Sequence, residues 1–494
     1  MRNLLYLGID VGTYESKGVL TDNKGKVHGQ ASVKHEMLIP KPGWAEHDPM
    51  DVWWGDFVRI TKALLSQTGI SSKNIASVAV SAIGPCMLPV DQQCTPLYSG
   101  VLYGVDTRAS ADINYLNNLI GSKDIFDFGG NALTSQSIGP KILWLKREHP
   151  DIFKKMHKIV TSTTFIVQKL TGRCVIDHYS AANFTPFYNK SKLQWSDALA
   201  PNLIDIKKLP ELKWTTDIAG FISEKASRET GLASGVPVTV GTIDAAAEAM
   251  SVGVQKPGHM MMMYGSTMFF IALTSKDQSD QSLWSSPWLF ENEFSLMAGT
   301  STSGTITQWF RKEFAREIDH SDAFSKLIKL ASHSPIGSKN LITLPYFSGE
   351  RTPIQNPNAS GVIFGLNLTH TRADIYRSIL EGISYGANHI IETFVSAGFK
   401  PKIIFAVGGG VKNDIWTSSI SNISGFDQII KSKTIGAAYG NAFLGALSLG
   451  HVERQEIDNW NETKQVIKAE SNPIYSKQYK LFKALYESTS ELML

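Results

Sequence analysis

The chain of 494 residues contains only three cysteines, and they do not fit either of the usual structural uses of cysteine. Cys86, Cys94 and Cys174 lack metal-ligand spacing and cannot form a disulfide framework, so we expect a cytoplasmic protein. No uninterrupted apolar run is long enough to span a bilayer, and Asp10 interrupts the apolar N-terminal segment too early for a signal peptide. We therefore expect no membrane partner.

Long basic runs are also missing. The net charge is only +3, and no cluster of Lys and Arg could follow a phosphate backbone, so nucleic acid is not expected as a partner. An apolar content of 43% and a charged content of 19% are typical of a soluble globular enzyme. Because this length exceeds what one hydrophobic core usually holds, we predict two α/β domains, residues 1–254 and 255–494, with a connector at 252–258.

Several familiar catalytic motifs are absent as well. The chain has no Gly-x4-Gly-Lys-Ser/Thr phosphate loop and no Gly-x-Gly-x-x-Gly followed by a ribose-binding acid, which disfavours P-loop and dinucleotide enzymes. It also lacks the Gly-x-Ser-x-Gly elbow of esterases and the His-Glu-x-x-His pair of zinc proteases. We predict no metal site built from histidine.

Phosphate binding is instead indicated by a strand-turn-strand segment at the N-terminus. An apolar strand over residues 4–10 leads into the turn Gly12-Thr13, and a second strand begins at Lys17. Gly12 would let backbone N–H groups approach an anion closely, Thr13 and Lys17 add donors, and Asp10 could hold Mg²⁺. An ordinary hairpin is the alternative.

The same arrangement recurs in the second half of the chain. A strand ending at Tyr264 leads through Gly265-Ser266-Thr267 into a strand over 269–273. This echo predicts two similar domains that face each other across a nucleotide. Further on, a buried strand ends in Gly408-Gly409-Gly410, where the backbone could lie flat against adenine or ribose, or simply turn tightly.

One acidic residue stands where a buried strand gives way to a helix. The segment Val240-Gly241-Thr242-Ile243-Asp244 runs into a series of alanines. Ligands bind at this rim of an α/β sheet, so Asp244 is a candidate general base that takes a proton from a sugar hydroxyl. Its alternative role is that of a helix N-cap.

Further candidate binding residues lie elsewhere in the N-terminal half. Gly84 and Pro85 follow a short buried strand at its carboxyl end, and Gln136 lies near the start of a helix. Asp106 and Arg108 could bind a polyol, which needs both donors and acceptors, or pair with each other.

Taken together, these segments resemble the FGGY carbohydrate kinases, a branch of the actin-like ATPase superfamily. The most specific piece is Gly361-Val362-Ile363-Phe364-Gly365-Leu366 followed by 374–382, which satisfies the long C-terminal signature of that family at every constrained position. The segment Ser348-Gly349-Glu350-Arg351-Thr352-Pro353 and the opening Asp10-Val11-Gly12-Thr13 are also similar to family members.

The resemblance implies two RNase H-like domains around a deep cleft that binds ATP and Mg²⁺. By matching positions, Asp10 corresponds to the acid linked to magnesium and Asp244 to the general base, which we also predict to lie near the metal. The expected nucleotide contacts are Asp10, Gly12, Thr13, Lys17, Gly265, Ser266, Thr267, Gly304, Gln308, Gly409, Gly410 and Asn413. The expected sugar contacts are Gly84, Pro85, Asp106, Arg108, Gln136 and Asp244.

The departures from the family pattern fall on the sugar side. Xylulose kinases carry Gln-Met-His-Gly where this chain has Ile83-Gly84-Pro85-Cys86, and the Arg-Glu pair of glycerol kinases is absent. The general pattern is most similar to the xylulose kinase group, so we predict phosphorylation of a ketopentose such as xylulose by a homodimer. The alternatives are a kinase for gluconate, glycerol or a tetritol, and an ATP-gated sugar sensor without transfer activity.

Overall fold

The structure, a computed structural model, describes residues 4–318 and 322–493. Each half of the chain is built around one seven-stranded sheet, and helices pack against both sheets. The two-domain α/β architecture predicted from the sequence is therefore confirmed. None of the helices in these described ranges has both the length and the hydropathy needed to cross a bilayer.

The first sheet is built entirely from the N-terminal half. Its strands, in spatial order, are Ile218–Phe221, Pro237–Thr239, Ile75–Ala82, Leu5–Val11, Glu15–Thr21 and Val27–Lys34, with Thr242–Ile243 paired to Ile75–Ala82.

The second sheet is built from the C-terminal half. Its strands, in spatial order, are Trp284–Pro287, Phe294–Gly299, Met268–Thr274, His259–Tyr264, Ile403–Val407, Gln428–Lys431 and Thr463–Ile467.

The two sheets share one topology around equivalent central strands. Leu5–Val11 pairs antiparallel with the strand that follows it and parallel with Ile75–Ala82 on its other side. His259–Tyr264 does the same with Met268–Thr274 and Ile403–Val407. The repeated strand-turn-strand of the sequence is thus a repeat of the whole sheet. This supports our proposal that the first domain ends at about residue 254, since no strand of either sheet crosses that point.

The main helices lie in the segments between and after these strands. They are Asp56–Thr68, Ser110–Ile120, Ser122–Gly129, Ile138–Glu148, Pro150–Lys155, Ser162–Thr171, Glu224–Thr230, Asp244–Ser251, Gly304–Phe314, Ala323–Ala331, Arg372–Ser396, Asp414–Ser424, Ala437–Leu447 and Pro473–Thr489.

The helix Ala437–Leu447 joins the two halves. A Cβ atom on Gly8 would lie 2.0 Å from the carbonyl oxygen of Ala438, and one on Gly440 would lie 1.9 Å from that of Ala247. Such contacts leave room only for glycine, so the helix lies directly on the first sheet and on the helix Asp244–Ser251. The small residues of this helix allow this close packing, which holds the two domains together.

Candidate active site

The first strand-turn-strand brings Asp10 to the cleft. Asp10 pairs with Ser81 across the parallel strands, and the Ser81 hydroxyl donates to Asp10 Oδ1 at 2.7 Å. Ser81 in turn accepts from the amide of Asn441 at 2.7 Å, on the helix that crosses from the second domain. The Asp10 carboxylate is therefore fixed by groups from both domains.

The two turns close in the same way. The Gly12 amide donates to the Glu15 carbonyl at 3.2 Å, and the Gly265 amide donates to the Thr267 carbonyl at 3.0 Å. Both glycine N–H groups are thus used within their own turns. The amides that follow each glycine remain the candidate anion donors.

A cavity of about 420 Å³, here called the larger cavity, lies beside the second turn. Seven of the predicted nucleotide contacts line it: Gly265, Ser266, Gly304, Gln308, Gly409, Gly410 and Asn413. Its size is that of a small-molecule site, and glycines form much of its wall. Thr267 does not line this cavity. Lys17 lies on the other side of the cleft, where its ammonium group is 3.2 Å from the Glu15 carboxylate.

Asp244 lines a second, smaller cavity of about 80 Å³. It is the first residue of the helix Asp244–Ser251, and Ile243 takes the N-cap position. Among the described residues, its Oδ1 accepts from the adjacent Ala245 amide alone, at 2.7 Å, so its carboxylate does not cap the turn as an N-cap residue would. The carboxylate is available to a ligand in the smaller cavity.

Burial and mutual repulsion perturb the acids of this cleft. Burial, opposed by the Ser81 hydroxyl and by Lys17, raises the pKa of Asp10 to about 6. Burial and the charge of Asp10 hold the pKa of Asp244 well above its ordinary value. The same two causes raise the pKa of Glu248, one helical turn further on, to about 7. Perturbed groups of this kind are typical of functional sites.

The donor set fits magnesium better than a metal held only by protein. Within residues 4–318 and 322–493, no three His, Cys, Asp or Glu side chains are grouped to hold an ion. Mg²⁺ usually takes one or two carboxylates and completes its shell with water and phosphate oxygens. Asp10 offers such a carboxylate, and a divalent cation would relieve its repulsion with Asp244.

The smaller cavity lies between the two domains. Gly84, Pro85 and Gln136, three of the residues proposed to contact the sugar, line its N-terminal side together with Asp244. From the second domain, it is lined by Phe269, Trp284 and Met297. Gln136 Oε1 is buried and has no hydrogen-bond partner among the described residues. A bound hydroxyl would satisfy this oxygen.

Asp106 and Arg108 do not take part in either cavity. The Arg108 guanidinium donates to Asp106 Oδ2 at 2.7 Å and to Glu46 Oε1 at 2.8 Å, and it stacks on Trp44 and Trp144. Both side chains of the pair are 0% exposed. The interpretation of this pair as sugar contacts is therefore corrected: the two residues bind each other, and their burial leaves no face for a substrate.

Asp106→Ala is accordingly expected to change stability and not sugar affinity. Removing Asp106 leaves the buried Arg108 guanidinium paired with Glu46 but takes the acceptor away from its Nε and Nη2 groups, which costs about 1–3 kcal/mol of unfolding free energy. Denaturant unfolding measures this loss, and the KM for the sugar should stay at its wild-type value. Asp127→Ala, which breaks the exposed pair with Lys123, is the control and should change almost nothing. A raised sugar KM in a folded Asp106→Ala protein would contradict the structural role.

Other cavity residues were not found by reasoning from the sequence. Aromatic and apolar side chains such as Tyr264, Tyr376, Trp284 and Met297 line the cavities, yet by type they resemble core residues. Their place in the cavities becomes evident from the three-dimensional structure, which brings them close to Gly265 or Asp244. Tyr376 lies inside the long C-terminal signature, which was the one available signal.

The comparisons with known proteins agree with this geometry. Residues 5–251 match the N-terminal domain, and residues 260–449 the C-terminal domain, of the FGGY family of carbohydrate kinases. The chain therefore belongs to the FGGY family of carbohydrate kinases, and it is a xylulokinase-like carbohydrate kinase.

Individual relatives extend over almost the whole chain. The xylulose kinase of Bacillus subtilis is 26% identical over 495 residues, which cover 98% of this chain and 97% of the relative. The gluconokinase of Bacillus licheniformis is also 26% identical, over 96% of this chain and 94% of its own. The crystal structure of xylulose kinase from Rhodospirillum rubrum superposes with a TM-score of 0.93, at 25% identity and 99% coverage of both chains.

Proposed function

We propose that this enzyme transfers the γ-phosphate of ATP to a hydroxyl of a ketopentose such as xylulose. The observation that carries the proposal is the position of Asp244 in the smaller cavity, while the turn at 264–266 lines the larger one. Phe269, on the strand that follows this turn, lines the smaller cavity. One strand-turn-strand thus contributes residues to both cavities, which would bring a phosphate and a hydroxyl together.

In this proposal the adenosine occupies the larger cavity and the phosphates extend toward Asp10. Amides of the two turns would bind the phosphate oxygens, and Asp10 would hold Mg²⁺, which supplies positive charge near the transferred group. Asp244 would orient the attacking hydroxyl and accept its proton. Apolar side chains from the second domain would exclude water from the smaller cavity, so that ATP is not hydrolysed in place of transfer.

The charge of the smaller cavity favours a neutral acceptor over gluconate. Asp244 is the acidic residue of its lining, and in the deprotonated form that acts as the base it would repel the carboxylate of gluconate. A sugar without a carboxylate meets the amides of Gln136 and Asn183 and the aromatic face of Trp284 instead. This distinction supports xylulose, whereas the gluconokinase similarity keeps gluconate as the second candidate.

An acceptor panel tests the proposal. ADP release would be measured with D-xylulose, D-ribulose, gluconate, glycerol and erythritol, and NMR would then locate the new phosphate ester. We expect the highest kcat/KM with a ketopentose, and a higher value with gluconate would favour the second candidate. ATP turnover that is independent of every acceptor would instead favour the sugar-sensor alternative. The homodimer stays a prediction, which light scattering would check.

Gly409→Leu tests whether the larger cavity binds the nucleotide. A Cβ atom on Gly409 meets nothing within 4 Å, and the residue lines the cavity, so a leucine side chain would enter it without straining the fold. Nucleotide affinity, measured by calorimetry, should fall at least about 10-fold, while the melting temperature stays unchanged.

The control for this experiment is Gly386→Ala, inside the helix Arg372–Ser396. Its added Cβ would lie 3.6 Å from Pro345 Cγ, an ordinary contact away from the cavity, so affinity should not change. Wild-type nucleotide affinity in folded Gly409→Leu would place the nucleotide elsewhere.

A further inference from the structure

Three consecutive carbonyl groups of the first turn are held from behind by two histidines. His35 Nε2 lies 3.1 Å from the Gly12 carbonyl oxygen, and His47 Nε2 lies 3.0 Å from that of Thr13. The backbone amide of His35 donates to the Tyr14 carbonyl at 3.0 Å. Neither histidine was expected from the sequence to take part in the site.

These carbonyl contacts also determine the directions of the N–H groups in the same peptide units. In a trans peptide, the C=O of one residue and the N–H of the next point in opposite directions. The bonds after Gly12 and Thr13 are trans. Fixing these two carbonyls therefore fixes the directions of the Thr13 and Tyr14 amides. Across the described residues, neither amide donates to a protein acceptor.

His47 is held in one neutral tautomer. The Trp53 indole N–H donates to His47 Nδ1 at 3.2 Å, which leaves the ring proton on Nε2 for the Thr13 carbonyl. Burial and the neighbouring His35 lower the pKa of His47 to about 4, which is consistent with a neutral ring. A group that both accepts and donates is needed at this position.

His35 is oriented by a buried carboxylate. Its Nδ1 lies 2.7 Å from Asp56 Oδ2, and the Ser16 hydroxyl donates to the same oxygen at 2.7 Å. The Arg59 guanidinium occupies Oδ1 at 2.7 Å, so both oxygens of Asp56 are satisfied. Acceptors therefore face both nitrogens of His35, and these two contacts fix the orientation of its ring.

We propose that His35 and His47 are positioning residues that aim the Thr13 and Tyr14 amides at the phosphates of the bound nucleotide. They contact no substrate, and they act through the Gly12 and Thr13 carbonyls. Oriented in advance, the two amides need no reorganisation when the triphosphate binds. The inference rests on the proposed function, because it assumes that phosphates lie at this turn.

A matched pair of variants at His47 tests the proposal. His47→Gln keeps an acceptor for Trp53 and a donor for Thr13, whereas His47→Met has similar size, no donor and only the weak acceptor of its thioether. Affinity for a non-hydrolysable ATP analogue, measured by calorimetry with Mg²⁺, should fall about 10–100-fold in the Met variant and stay within about threefold in the Gln variant. The kcat/KM for ATP should follow, while the KM for the sugar stays unchanged.

Two further variants complete the test. His28→Met, on the same hairpin but paired with Asp22 at its far end, is the control and should bind the analogue normally. If His47→Met does not fold, Trp53→Phe removes the indole N–H that fixes the tautomer and should weaken analogue binding about 3–10-fold.

The failures of the two proposals are distinguishable. Equal affinities for the analogue in wild type and folded His47→Met would overturn the positioning role, as would equal losses in the Gln and Met variants. If the wild-type protein itself bound no triphosphate, the proposed function would fail instead.

Discussion

Asp244→Asn is expected to abolish sugar phosphorylation while leaving the nucleotide site intact. An amide cannot accept the hydroxyl proton, and general base catalysis typically contributes about 10²–10⁴-fold, so kcat should fall by that factor. The side chain keeps its size, and Asp244 does not line the larger cavity, so ADP affinity should remain near wild type. Steady-state kinetics with a saturating acceptor and calorimetry with ADP measure the two quantities.

The control for this variant is Asp127→Asn on the protein surface. It changes the net charge equally and should have wild-type kinetics. Full turnover in Asp244→Asn would show that another group accepts the proton.

Asp10→Asn is expected to lower kcat about 10²–10³-fold, the range found when one electrostatic stabiliser of a transition state is removed. Asp10 is the carboxylate that would hold Mg²⁺, so the variant should also need a higher Mg²⁺ concentration for half-maximal rate. Titration of the rate with Mg²⁺ at a fixed ATP concentration measures both effects. An unchanged Mg²⁺ requirement would remove Asp10 from the metal site.

Asp10→Asn should also change the pH dependence of kcat/KM and of stability. The charge of Asp10 helps to raise the pKa of Asp244, so its removal should move the acid limb of kcat/KM to lower pH. The raised native pKa of Asp10 means that stability is lost as pH rises through about 6, its native value. Without divalent cations, Asp10→Asn should therefore melt at a higher temperature than wild type at neutral pH. Lost activity with gained stability distinguishes a site effect from misfolding.

The framework of the proposed site could be predicted because an acid or a glycine at the end of a buried strand is a recognisable feature of the sequence. Asp244 stands at a strand-to-helix junction, and the glycines at 265 and 410 follow buried strands, where parallel sheets bind ligands. The repeat of one turn in each half also predicted two similar domains, and the matching strand orders of the two sheets confirm it.

Other features depend on contacts between distant parts of the chain. By residue type, Asp106 and Arg108 could form a polyol site. In the structure, Arg108 is covered by side chains from other segments of the chain: Trp44, Trp144 and Glu46. The hydrogen bond of the Gly12 amide within its own turn depends on backbone geometry, which cannot be read from the residue types. The histidines behind that turn come from positions 35 and 47, which have no spacing relation to it.

The most direct test of the central claim follows the label of γ-³²P ATP. Wild-type enzyme, D-xylulose and Mg²⁺ are mixed, and the products are separated by chromatography. If the phosphoryl group passes from ATP in the larger cavity to the sugar in the smaller one, the label will appear in a sugar phosphate, with little in inorganic phosphate. With Asp244→Asn, no label should appear in the sugar. Label that appears only as inorganic phosphate, at a rate indifferent to the sugar, would contradict the account.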